Sequence, residues 1–108
     1  LVGDVEGCNV IRIDGETSTC GTLSAAARQV KKCGARNVYA AVTHAMLNAQ
    51  GLDRLRQSDI SELIVTDTVP QQKYDDSLPI TVLSVAELFG EAIRRIHNNQ
   101  SVSSLFKI

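Results

Sequence analysis

From Cys8 to Val30 the chain reads CNVIRIDGETSTCGTLSAAARQV. An apolar run of strand character comes first, then an Asp, then a loop of small hydroxyl and glycine residues, then a helical pattern. This order is how α/β proteins make a pocket for a phosphate group. The first N–H groups of a helix lack intrahelical partners, and the helix dipole adds partial positive charge there. Thr17, Ser18, Thr19 and Thr22 contribute hydroxyls. Gly15 and Gly21 let the main chain approach a ligand and turn without Cβ clashes. A Gly/Thr-rich loop is equally what a plain polar turn looks like, so the loop by itself leaves both readings open.

Outward from this stretch, strand and helix patterns alternate. The first strand is expected over Asn9–Ile13, interrupted by Arg12, and the first helix over Thr22–Cys33. Leu23, Ala26, Ala27 and Val30 recur at helical spacing, and Gly34 stands where a C-terminal cap belongs. NVYAAV, Asn37–Val42, reads as a strand covered on both faces. A short helix, Ala49–Gln57, turns Leu52 and Leu55 inward. ELIVT, Glu62–Thr66, is the third strand. A polar loop bounded by Pro70 and Pro79 separates it from a fourth, Ile80–Leu83. Ser84 and Glu87 form an S-x-x-E capping box for the last helix. Its apolar stripe is Val85, Leu88, Phe89, Ala92, Ile93 and Ile96, and Gly90 within it suggests close packing.

Such alternation predicts an α/β fold, a mostly parallel sheet flanked by helices. Ligands of such sheets sit beyond the carboxyl ends of the strands. Asp14, Thr43–His44 and Asp67–Thr68 stand at three of those ends, so the topology brings polar residues to one edge. His44 is there a candidate ligand contact. His97, in a last helical turn, suits the dipole or an interface.

With 108 residues the chain is one domain at most. Trp is absent, so the core must rest on Val, Ile, Leu and Ala. A net charge of −1 without a basic block argues against nucleic acid as the partner. No apolar run approaches the ~20 residues of a membrane helix, and the start has no signal-peptide pattern. Cys8, Cys20 and Cys33 are odd in number and widely spaced, which fits neither a disulfide framework nor a zinc site. They read as reduced cysteines of a cytoplasmic protein. Cys20 alone stands in the polar loop, either against a ligand or as a small filler.

Several segments together resemble the ribose-phosphate pyrophosphokinases, or phosphoribosyl pyrophosphate synthetases, and specifically their C-terminal part. They are VGDVEG, IDGETSTCGT, VYAAVTHAML, ELIVTDTVP, ITVLSVAELFGEAIRRIHN and SVSSLF, in that order. The resemblance implies a type I phosphoribosyltransferase-like fold, with residues 1–108 as a single, partial C-terminal domain of that kind. It implies transfer of diphosphate from ATP to ribose 5-phosphate with Mg²⁺, for nucleotide synthesis, in a cytoplasmic homo-oligomer that is commonly a hexamer. ATP would be held by an N-terminal part with no counterpart in this chain, and the isolated chain is expected to be inactive. Mg²⁺ likewise would not be held by this chain alone.

The family's sugar-phosphate loop reads D-D-x-x-D-T-x-G-T. Asp14 matches the first Asp, Gly15 replaces the second and Ser18 the third, while Thr19, Gly21 and Thr22 match. The resemblance thus implies ribose 5-phosphate contacts from Asp14, Ser18, Thr19, Cys20, Gly21 and Thr22. The phosphate cradle is kept and two carboxylates are lost, with Glu16 a new one nearby. In the tail, Ser101, Ser103 and Phe106 match positions of a regulatory phosphate or ADP site between subunits; packing of Leu105 and Phe106 on the body is the alternative. Two further readings stay open: a catalytically inactive regulatory or scaffold subunit of the family, and a binding module without chemistry.

Overall fold

The structure, a computed structural model, describes residues 2–107. Strands β1 (Asn9–Thr17), β2 (Asn37–Ala45), β3 (Ile60–Thr66) and β4 (Ile80–Leu83) form one sheet. Their order is β1-β2-β3-β4 and every pair is parallel. Helices α1 (Gly21–Lys32) and α2 (Ala49–Gln57) make the first two crossovers, and the β3–β4 connection is a loop. Helix α3 (Ala86–His97) and a 3₁₀ turn, Ser103–Phe106, complete the described residues. The α/β architecture is the expected one.

Strands added always on the same side, through right-handed crossovers, place every crossover helix on one face of the sheet. The core lies there. Leu23 and Ala27 of α1 and Leu55 of α2 pack with Val38, Ala40 and Val42 of β2 and Leu63 and Val65 of β3. Burial in β2 alternates, with Val38, Ala40 and Val42 buried and Tyr39 and Ala41 only partly so. Coverage of this strand on both faces is therefore not what the described residues show. On the opposite face Ile13 of β1 is 74% exposed.

α1 stops as anticipated. Gly34 takes φ 94°, its N–H donates to Lys31 O at 3.1 Å, and Ala35 N–H donates to Val30 O at 3.1 Å. That double bond is a Schellman cap, which needs the left-handed conformation glycine tolerates.

β1 is longer than its apolar run. It continues through Asp14, Gly15, Glu16 and Thr17, because β2 also continues and pairs Glu16 with His44 and Thr17 with Ala45. Gly15 is thus strand, not turn. Side chains alternate across a strand, so Arg12, Asp14 and Glu16 share one side and Gly15 faces the other.

α3 departs most from expectation. None of its residues is buried, and Ile93 and Ile96 of the apolar stripe are 66% and 65% exposed. A Cβ on Gly90 would meet nothing within 4 Å, so close packing does not explain that glycine. The capping box is also not formed. Ser84 Oγ accepts from Ala86 N–H at 3.2 Å, and Asp67 Oδ1 accepts from Val85 N–H at 2.9 Å. The helix start is held by a carboxylate from the end of β3, which no local pattern announces. The Val85 N–H first, and then the Ser84 hydroxyl, hold the Asp67 carboxyl below its usual range. The radius of gyration is 16.3 Å, against about 13 Å for a rounded domain of this size.

Candidate functional site

The turn from β1 into α1 occupies only Ser18, Thr19 and Cys20. Cys20 takes φ 56° and ψ 17°, left-handed space that costs a residue with a Cβ about 1–2 kcal/mol. Its side chain is 1% exposed and its Sγ faces Thr17 Oγ1 at 3.9 Å. Burial pushes the thiol up from its ordinary value, against the smaller effects of Thr17 and Arg54. A buried, protonated thiol is a packing group, not a nucleophile.

The main chain of the turn is oriented by its carbonyls. Thr17 O accepts from Met46 N–H at 2.9 Å and Ser18 O from Asn48 N–H at 3.3 Å. Thr19 O accepts from Arg54 Nη1 at 3.2 Å. In a planar trans peptide the C=O and the following N–H point in opposite directions. Drawing these carbonyls toward the β2–α2 segment therefore aims the N–H groups of Ser18, Thr19 and Cys20 away from it. Those N–H groups, and those of Gly21, Thr22 and Leu23 in the first helical turn, have no hydrogen-bond partner among the described residues. The hydroxyls of Ser18, Thr19 and Thr22 are likewise without one.

An open cavity of about 370 Å³ lies at this turn. β1 contributes Arg12, Asp14, Glu16 and Thr17, the turn and first helical residues contribute Ser18, Thr19, Gly21 and Thr22, and Leu23 and Met46 close it. Arg12 Nη2 donates to Asp14 Oδ2 at 3.3 Å and so steadies that carboxylate. The cavity joins fixed N–H donors, three unpartnered hydroxyls, one guanidinium and two carboxylates. That set suits a ligand with an anionic end and hydroxyl groups.

Of the loop residues proposed from sequence, Asp14, Ser18, Thr19, Gly21 and Thr22 come together on the cavity wall. Cys20 does not line it and offers only main chain. Gly15 is not on its wall. The other strand ends do not converge on it either. His44 Nδ1 lies 2.8 Å from Thr68 Oγ1, and Thr66 Oγ1 donates to Thr43 O at 2.6 Å, so these residues close on one another. Asp67 is committed to α3. Ser101, Ser103 and Phe106 lie with the tail. Ser101 Oγ is 2.8 Å from Ser103 Oγ, Phe106 is exposed, and Arg95 joins the tail to α3 through Ser101 O and Ser104. Packing of Phe106 on the body is not what holds the tail.

Sequence reading missed Arg12, Met46, Gly51 and Arg54. A Cβ on Gly51 would lie 2.2 Å from Ser18 O, so α2 presses on the turn through its glycine. Glycine one turn into a helix is a visible signal. Arg54 gives no such signal, since its partner is 35 residues away. No group of three or more His, Cys, Asp or Glu able to hold a metal ion occurs among the described residues.

The phosphoribosyl synthetase-associated domain matches residues 1–107. The ribose-phosphate pyrophosphokinase of Gloeobacter violaceus is 43% identical over 107 residues, 99% of this chain and 32% of that protein. That of Oceanobacillus iheyensis is 44% identical over 106 residues, 98% of this chain and 33% of that protein. The crystal structure of phosphoribosylpyrophosphate synthetase from Mycobacterium smegmatis superposes with a TM-score of 0.82 at 35% identity. It covers 91% of this chain and 33% of its own. The chain spans about a third of the length of the relatives it matches.

Proposed function

This chain belongs to the phosphoribosyl synthetase-associated domain family, and on that premise we propose that it is part of a ribose-phosphate diphosphokinase. In that reading residues 1–108 are a partial phosphoribosyltransferase-like domain supplying the ribose 5-phosphate loop. The whole enzyme would make phosphoribosyl pyrophosphate from ATP and ribose 5-phosphate for nucleotide synthesis. ATP would be bound by a part that this chain does not include, in a cytoplasmic homo-oligomer. The observation that carries the reading is the turn itself. Its N–H groups are aimed away from the protein's own acceptors, beside a cavity whose wall holds Thr19, Gly21 and Thr22.

The chemistry follows from those donors. The phosphate of the sugar accepts from the N–H groups of Ser18 through Leu23 and from the hydroxyls of Ser18, Thr19 and Thr22. The dipole of α1 favours its charge. Asp14 accepts from sugar hydroxyls while Arg12 keeps its carboxylate turned to the wall. Glu16 is on the same side of β1 and places a second carboxylate there. Transfer of a phosphoryl-type group depends chiefly on positioning and charge stabilisation, and positioning of the acceptor sugar is the share assigned to this chain. When bound, Mg²⁺ would neutralise charge on the phosphates. Asp14 and Glu16 do not by themselves make a cage for it. Ser101, Ser103 and Phe106 would join a regulatory phosphate or ADP site only in the assembled oligomer.

A second reading, an inactive regulatory or scaffold subunit, rests on Gly15 and Ser18, which stand where the family loop carries carboxylates. A Cβ on Gly15 meets nothing within 4 Å. The double change Gly15→Asp with Ser18→Asp is therefore expected to fold, and it should raise the rate of the full-length enzyme if the lost carboxylates limit it.

Isothermal titration with ribose 5-phosphate tests the loop assignment. Binding weakened about ten- to a hundredfold by Thr22→Ala, the loss of about one hydrogen bond to a charged group, is the expected result. No heat with the sugar phosphate, or equal affinity for the variant, overturns it.

A further inference from the structure

The residue that sets the aim of the phosphate turn lies outside it. We propose that Arg54 of α2 is a positioning residue, holding the Thr19 carbonyl so that the Cys20 N–H faces the sugar phosphate. This rests on the reading of the turn as a ribose 5-phosphate loop.

Three observations carry it. Arg54 Nη1 donates to Thr19 O at 3.2 Å, and this is the one bond recorded for that carbonyl among the described residues. The guanidinium also lies against the start of α1, where a Cβ on Gly21 would come within 3.1 Å of Nη1. Gly21 thus lets the arginine reach the peptide it holds. Finally, Arg54 has no carboxylate partner among the described residues, whereas Arg56, two positions on, pairs with both Asp53 and Asp75. A half-buried guanidinium without an ion pair, committed to one carbonyl, is not explained by surface charge balance.

The geometry transmits through one peptide plane. Thr19 C=O and Cys20 N–H point oppositely because the plane is rigid. Release of the carbonyl frees that plane to rotate, and the N–H then swings off the phosphate. Cys20 holds left-handed space against its own preference, so the plane has a more relaxed orientation to fall into. Neighbouring planes keep their anchors, since Ser18 O is held by Asn48 N–H and pressed by Gly51. Loss of Arg54 should therefore disturb one donor rather than unravel the turn.

Arg54→Ala, Arg54→Gln and Arg54→Lys in the 108-residue chain separate hydrogen bonding from charge. Gln offers an N–H with no charge; Lys keeps the charge without the planar fork. Three readouts are needed: the thermal midpoint, ribose 5-phosphate affinity, and the NMR shifts of the Thr19 carbonyl and Cys20 amide without ligand. Arg54→Ala should weaken binding about tenfold, in line with loss of one preorganised donor, and move both shifts. Arg54→Gln should recover most of each. Unchanged affinity for Arg54→Ala overturns the proposal, and so does recovery of affinity by Arg54→Lys while the Thr19 carbonyl and Cys20 amide shifts stay displaced, which would leave only long-range charge. If the unaltered chain binds no ribose 5-phosphate, the functional reading falls, while the shifts alone still decide whether Arg54 holds the plane. Loss of the folded baseline in every variant would mean a purely structural arginine and would also overturn it.

Discussion

The face of the sheet under α1 and α2 and the segment built by α3 and the tail use similar residues to opposite effect. On the first, Leu55, Leu63 and Val65 are at most 1% exposed. On the second, Leu88, Phe89, Ile93 and Ile96 make an equally apolar stripe and none is buried. The first region is held by packing, and it ties down the β1–α1 turn through Met46, Asn48, Gly51 and Arg54. The second is held by polar contacts near its ends, from Asp67 and Ser84 at the start and from Arg95 to the tail. An amphipathic pattern tells which side of a helix needs a partner; it does not tell whether the chain supplies that partner.

The largest expected contrast comes from cutting each apolar set back. Leu63→Ala should cost about 2–5 kcal/mol, because a fully buried side chain leaves a cavity. Ile93→Ala should change stability by less than about 0.5 kcal/mol. Chemical denaturation of the two variants checks this. A cost at Ile93 approaching that at Leu63 would break the distinction and place α3 in the cooperative core.

Acid sharpens the same contrast more gently. Glu91 is drawn down from 4.5 to about 2 by hydrogen bonds from Arg94 and then Arg95. Asp67, bonded to Val85 N–H, is also lowered from 3.8. A carboxyl depressed in the folded state contributes stability above its unfolded value and loses it as pH falls through the folded one. For α3 that window runs from about 4.5 down to about 2. Asp67 is exposed and Glu91 only half-buried, so the effect is small and salt-sensitive. Amide spectra across that window should show Val85–His97 losing order before Leu23 and Leu55 do. Simultaneous loss would count against two separately held regions.

Which parts could be read in advance follows from how local their causes are. The cap at Gly34, the span of α2 and β4, and the hydroxyl-rich entry to α1 depend on residues within a turn of each other, and these expectations match. β1 ran past Ile13 because a neighbouring strand offered a ladder to Gly15–Thr17, and a polar stretch carries no mark of that. The start of α3 is fixed by Asp67, 18 residues upstream of Val85, so the S-x-x-E pattern misdirected. At the cavity, Asp14, Thr19 and Thr22 were legible because they lie within one strand–turn–helix stretch, whereas Gly51 and Arg54 act from the far side of it. His44 and Thr68 stand at strand ends but satisfy each other, and position alone could not reveal that.

Central to all of this is the proposal that the turn from β1 into α1 is a main-chain clasp for a phosphate. An amide-resolved NMR titration of the chain with ribose 5-phosphate measures it most directly. The account predicts saturable shifts confined to the N–H groups of Ser18 through Leu23, with those of α3 and the tail unmoved. Shifts centred on Glu87–Phe106, or none in the turn at saturating ligand, would contradict it.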